Sequence, residues 1–326
     1  MQQFIERLNT KLLETAGLSN NFKFKNADNL FFSAIAGMTL FLMLFIIIYV
    51  FYVASPVLLK VGLLDFITGT RWNYGASAYG IWNYALSTIY LTVLTLLISV
   101  PLGLFAAIFL TEFASKRIES ILRPLIELLV GIPSVVYGIF GFFILEDIFR
   151  HHIDPFLNGT LGVFLPIFRD NNPNDGFSLL LASTVLAVMV LPTIVTLSQD
   201  AIRMVSKDYR DASFSLGATK WETIKNVVLP AAKGGITASV ILGAMRAMGE
   251  TMAVLMLYGG SATAPVSILD SGTAMTSLIL GDLGSNFNND EAVSALFAIA
   301  ALLFGMEIFF VIIIKLMSGS YGSSKA

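Results

Sequence analysis

The sequence predicts an all-α polytopic membrane protein with six transmembrane helices. Three observations carry that expectation. Of 326 residues, 56% are hydrophobic and only 13% charged, against about 25% charged in a typical soluble domain. Six apolar runs are long enough to cross a hydrocarbon core about 30 Å thick at about 1.5 Å per helical residue. Lys and Arg also alternate between connections. Fifteen fall at the N-terminus, residues 112–123, residues 199–233 and the C-terminus, and four in the three opposite loops. The positive-inside rule then places both termini in the cytoplasm.

In chain order, residues 1–29 form a tail in which Arg7, Lys11, Lys23 and Lys25 accompany Phe4, Ile5, Leu8, Leu12 and Leu13. That spacing suits an amphipathic helix on the cytoplasmic membrane surface, and equally a solvated helical tail. A six-span domain follows over 30–316, with spans expected at 30–53, 82–110, 121–148, 178–198, 234–258 and 292–316. The first run is too long for the apolar segment of a cleavable signal peptide and is expected to stay as an anchor. Trp72 and Trp82 suit an aromatic belt at the membrane interface. Pro101 and Gly103 predict a kink in the second span. Gly131 and Pro133 predict a bend or local unwinding in the third. Residues 149–177 and 259–291 read as polar outer loops, and 317–326 as a small C-terminal tail.

The fifth run, Gly234 to Tyr258, is interrupted by Arg246 and Glu250. On a continuous helix Arg246 lies about 18 Å along the run, near mid-membrane. A charge there costs roughly 2.5–3.5 kcal/mol on insertion scales and needs a partner, a water-filled cavity or a function. Glu250, one turn further on the same face, is expected to pair with Arg246 when the path is empty. Arg is always charged and binds oxyanions through two parallel hydrogen bonds, so the pair marks an anion pathway. A bundle-internal ion pair that only fixes packing is the alternative.

The basic segment Val205 to Pro230 reads as two short helices broken at Gly217. Ser206 suits the N-cap of the first, and Thr219 with Glu222 a capping box for the second. Gly217 suits the left-handed residue that ends a helix. Tyr209, Phe214, Leu216 and Trp221 either dock a partner or pack back on the membrane domain.

Other patterns exclude chemistry. Zero cysteines rule out disulfides, thiolate catalysis and cysteine-ligated metals. The chain has no phosphate-cradling G-x-x-x-x-G-K-[ST], no G-x-S-x-G and no H-E-x-x-H. No catalytic residue, metal site or cofactor is therefore expected in this chain, and no basic tract suggests nucleic acid. His151 and His152 are adjacent and do not converge on one helix face. Glu127, four residues after Arg123, suits an ordinary ion pair. Glu307 in the last span faces either a partner subunit or the pathway.

Asp211-Ala212-Ser213, then Gly217, then Val227-Val228-Leu229-Pro230 resembles the EAA-x3-G-x9-I-x-LP signature of ABC importer permeases, with Asp, Ser and Val as departures. The resemblance implies a type I importer permease (MetI-like) fold in which residues 206–230, with Asp211, Ala212, Ser213, Gly217, Trp221, Leu229 and Pro230, form the cytoplasmic coupling segment that docks an ATPase subunit. ATP and magnesium would then belong to that partner. RPLIELLVGIPSVVYG (Arg123 to Gly138), RAMGETMAV (Arg246 to Val254) and VPLGLFAAIFLTEFA (Val100 to Ala114) are similar to phosphate importer permeases of the PstC type. That likeness implies a transport role for Arg246 and Glu250. It also implies a homologous second permease of PstA type, a PstB-type ATPase dimer and an extracytoplasmic PstS-type phosphate-binding protein. A permease for molybdate, tungstate or sulfate is the nearest alternative. A proton-coupled anion transporter gives the docking segment no purpose and predicts inverted repeats that are not seen.

Overall fold

A computed structural model describes residues 27–171 and 176–319. Residues 1–26 of the expected amphipathic tail and 320–326 of the C-terminal tail lie outside the described residues. The chain divides into two compact units at Tyr52 and Val53.

The helix that opens the described residues, α1 (Ala27–Val61), runs through Pro56 and past the expected end of the first span. A short helix α2 (Leu63–Thr68) and a hairpin, β1 (Trp72–Asn73) with antiparallel β2 (Ala78–Tyr79), lead to α3 (Trp82–Phe113). Trp72 packs edge-on against Tyr74, Tyr79 and Tyr84, with centroids 5.6, 5.3 and 6.1 Å away. Trp72 thus sits in an aromatic cluster. Tyr74 donates to Asp282 at 2.6 Å; burial first, then that bond, raise its phenol above the ordinary value.

The expected third span is two helices, α4 (Lys116–Val130) and α5 (Ser134–Thr160), bent by 94°. Pro133 lacks an N–H and disfavours helical backbone at Ile132, so the bend falls where the sequence placed it. The boundary does not: α4 buries no residue, and α5 extends to Thr160, so the first part of the expected 149–177 loop is helical.

Next comes α6 (Leu179–Arg203), whose Ser178 accepts from Leu181 N as N-cap. It is the centre of the domain: 67% of its most apolar window is buried, against 33% for α3 and 28% for α8. Leu181, Val185, Leu186, Met189, Val190 and Ile194 of α6 form the core with Leu91, Ala247, Val254 and Leu257. Lipid is as apolar as these side chains, so close packing and interhelical hydrogen bonds, not water exclusion, hold spans together. Ile194 shows the packing. A Cβ on Gly103 of α3 would lie 2.7 Å from its Cγ2, and one on Gly243 of α8 would lie 3.1 Å from its Cγ1. A side chain at Gly103 would force Ile194 to shift, and one at Gly243 would need it to give by a few tenths of an ångström. Ser198 and Ser239 add a buried hydrogen bond of 2.8 Å between α6 and α8.

The chain continues through α7 (Lys207–Ser215) into α8 (Lys220–Gly249), so the second short helix and the fifth span are one continuous helix. A π turn at Ile224–Val228 precedes Leu229 and Pro230. Pro230 cannot donate to the carbonyl four residues back, and the wider turn absorbs that gap. The fifth span is not continuous to Tyr258. It stops at Gly249, and a separate α9 (Met252–Leu257) follows. The expected loop 259–291 contains α10 (Met275–Asn286), whose first turn is buried. The last helix is α11 (Asp290–Gly319).

Candidate functional site

Two spans are broken, and the pieces beyond each break pack together. Gly138 of α5 lies against Met256 and Ala253 of α9, and Gly141 against Leu257. Arg246, Glu250 and Tyr137 stand beside this junction.

Glu250 adopts extended backbone, φ −68° and ψ 132°. Its carboxylate accepts from Thr251 N at 3.1 Å and Ala253 N at 3.4 Å, satisfying amides that open α9. Freed carbonyls at the break are also met: Thr276 Oγ1 donates to Glu250 O at 2.8 Å, and Ser277 Oγ to Thr251 O at 3.4 Å. Unwound backbone persists at membrane depth only when such groups are satisfied. The break therefore arises because Gly249 ends one helix, Glu250 caps the next, and α10 supplies two hydroxyls.

The expected Arg246–Glu250 pair does not form. With the helix ended at Gly249, Glu250 no longer sits one turn above Arg246, and its Oε1 accepts from two amides instead. Half-buried Arg246 donates from Nη1 to Thr193 Oγ1 of α6 at 3.4 Å, its one hydrogen bond among the described residues. Two features replace the missing carboxylate. Arg246 occupies the last turn of α8, where the unpaired carbonyl end of the helix dipole favours a cation by about 0.3–1 kcal/mol, more when partly buried. Four of its five N–H donors also stay available. Such a guanidinium suits an oxyanion that arrives later. Tyr137 donates to Leu129 O at 3.1 Å and bridges the bend at Gly131 and Pro133.

The second candidate region lies at the start of α8. Ser206 accepts from Asp208 N, and Thr219 and Glu222 form both halves of the capping box. Gly217 has φ +83°. All three follow the sequence expectation. Ser213 Oγ meets Thr223 Oγ1 at 2.9 Å and ties α7 to α8. Asp211 and Ala212 are exposed, as is Pro230, whereas Leu229 is half-buried against the cluster of Ile202, Val205, Ile224 and Val228. Tyr209, Phe214, Leu216 and Trp221 stand 61, 46, 89 and 50% exposed. Each of the four is therefore at least partly open to the surroundings of the segment.

Sequence reasoning missed what holds the segment in place. Arg210 of α7 donates to Ile202 O at 3.0 Å, to Val205 O, and to Glu112 Oε1 of α3 at 2.9 Å. Lys220 reaches Glu112 O and lies 4.5 Å from the Phe113 ring centroid. Arg203 pairs with Glu119. The available signal was an acidic residue at the end of each facing element, Glu112 and Glu119, opposite basic Arg210 and Arg203. Arg123 pairs with Glu127 at 2.9 Å as expected, and with Asp200 at 3.5 Å. His151 meets Asp147 at 3.0 Å on one helix. No group of three or more His, Cys, Asp or Glu suited to a metal occurs among the described residues.

Residues 99–318 match the family described as binding-protein-dependent transport system inner membrane component. The chain is 36% identical to the probable ABC transporter permease protein YqgH of Bacillus subtilis, over 78% of this chain and 77% of that protein. It is 35% identical to the phosphate transport system permease protein PstC of Xylella fastidiosa, over 78% of each. The corresponding protein of Haemophilus influenzae is 34% identical over 78% of this chain and 80% of its own length. Among solved structures, a bacterial alginate ABC transporter in complex with alginate pentasaccharide-bound periplasmic protein shares the fold. Its TM-score is 0.60 at 15% identity, with 92% of this chain and 97% of that chain covered. A broken-helix membrane domain carrying an exposed helix-turn-helix, and matched over this much of its length, belongs to the family of inner membrane components of binding-protein-dependent transport systems.

Proposed function

We propose that this chain is a permease subunit of an ATP-driven importer of inorganic phosphate and forms half of its translocation pathway. The observation that carries the reading is Arg246: a half-buried guanidinium with one protein hydrogen bond, in a chain 35% identical to a phosphate transport system permease. Arg246 offers paired donors to a phosphate that has shed water. Glu250 keeps the break beside it open by capping α9, so the pathway is shaped by the one residue and charged by the other.

The exposed face of residues 206–230 is the ATPase docking element, on the cytoplasmic side with both termini. ATP and magnesium bind to that ATPase dimer, not to this chain. A homologous second permease completes the path, and a phosphate-binding protein delivers substrate from outside. Nucleotide-driven movement enters through α7 and travels by the Arg210–Glu112 contact to α3.

Uptake of labelled phosphate by the reconstituted complex, challenged with sulfate and molybdate, tests the assignment. Phosphate uptake should persist under excess competitor, and Arg246→Ala should abolish it with the complex still assembled. Equal competition by another oxyanion would overturn the substrate. Native uptake by Arg246→Ala would remove that residue from the mechanism.

A further inference from the structure

We propose that Thr193 is a second anion contact, its hydroxyl converging with the Arg246 guanidinium on the phosphate in transit; the inference rests on the pathway reading above and names a further residue of the same site.

Several helical threonines of this chain spend their proton on their own backbone, although Thr95 finds no partner among the described residues and Thr276 donates to Glu250 O on another element. Thr88, Thr92, Thr111 and Thr184 each donate to the carbonyl four residues back at 2.8 Å. Thr193 lies in the interior of α6, where the same bond to Met189 O is sterically open to it, and yet it makes none among the described residues. It accepts from Arg246 Nη1 instead. A hydroxyl that accepts from a guanidinium has its lone pair occupied on that side and its proton directed elsewhere. Charge on the donor polarises it further.

The placement is rigid. Thr193 follows Pro192 and precedes Ile194, the residue lodged between Gly103 and Gly243. Gly243 is three residues before Arg246 on α8. One close helix contact therefore fixes the backbone that carries each group, Thr193 on α6 and Arg246 on α8. Thr193 is half-buried, so its free proton is neither sealed in the core nor fully hydrated. A lone guanidinium attracts any anion, whereas a guanidinium with a fixed O–H beside it sets where two oxygens must sit.

Thr193→Val keeps the branched shape and removes the hydroxyl; Thr193→Ser keeps the hydroxyl and removes a methyl. In proteoliposomes holding the complete complex, phosphate transported per ATP hydrolysed is measured alongside co-purification of all subunits. Thr193→Val should transport about tenfold less phosphate per ATP, the loss expected for one hydrogen bond to a charged group, and Thr193→Ser should restore most of it. Native transport by Thr193→Val, or equal impairment of both variants, overturns the inference in favour of a packing role and leaves the Arg246 reading standing. Native transport by Arg246→Ala overturns both.

Discussion

Glu250 forms no ion pair with Arg246, four residues before it, and its Oε1 accepts from the amides of Thr251 and Ala253 at 3.1 and 3.4 Å. A cap and a counter-ion make different demands on the side chain. Glu250→Gln retains an oxygen that accepts those amides, whereas Glu250→Ala leaves them unmet. The alanine variant should lose about 1 kcal/mol of stability, as for other N-caps, and the glutamine variant much less. Thermal unfolding of the purified complex reads both. Equal losses would mean that the position supplies charge rather than a cap.

The Arg210–Glu112 pair connects the docking segment to α3 with both side chains largely shielded, at 16 and 12% exposure. Arg210 keeps three backbone carbonyl partners if the Glu112 carboxylate is removed, and Lys220 keeps Glu112 O and the Phe113 ring, so Glu112→Ala should loosen the segment on α3 without unfolding it. Faster amide exchange over residues 207–223 and a lower ratio of transport to ATP hydrolysis are the expected results. A double-mutant cycle with Arg210→Ala should give a coupling of about 1–3 kcal/mol, the range for partners in one network. A value near zero would exclude this route of transmission.

Local signals made much of this fold legible. Ser206, Gly217, Thr219 and Glu222 define the docking segment by capping chemistry that needs no partner beyond a few residues. Pro133 likewise marked the bend. The break at Glu250 was hidden because the run from Gly234 to Tyr258 is long enough for one span despite its two charges, and the groups that stabilise the break are remote: Thr276 and Ser277 lie twenty-six residues on. Thr193 was hidden for the same reason, being fifty-three residues from Arg246. The same apolar bias concealed α10, because a run of Met, Leu, Gly and Asn between acidic residues has no clear helical stripe.

Gly217 tests the turn alone. Its φ is +83°, and a Cβ there would meet nothing within 4 Å, so a substitution pays only for the left-handed backbone, roughly 1–2 kcal/mol. Asn visits that region more readily than a β-branched residue. Gly217→Asn should therefore retain ATPase docking, while Gly217→Val should reorient α7 against α8 and lose the Ser213–Thr223 contact. Co-purification of the ATPase with each variant distinguishes them, and equal retention would show that the turn tolerates rearrangement.

The docking face yields the sharpest separation of folding from function. Leu216 and Trp221 are 89 and 50% exposed, so removing them takes little from the permease itself, and surface changes of this kind usually alter stability by no more than about 0.5 kcal/mol. At an interface the same groups count heavily, since buried aromatic anchors carry most of the affinity. Leu216→Asp and Trp221→Ala should each weaken ATPase binding at least about tenfold with an unchanged unfolding midpoint. Val266→Asp, at a site 79% exposed in the expected outer loop, should leave ATPase binding at the native value. If all three variants bound the ATPase alike, the exposed aromatic face would not be the docking surface, and the motor would have to grip the chain elsewhere.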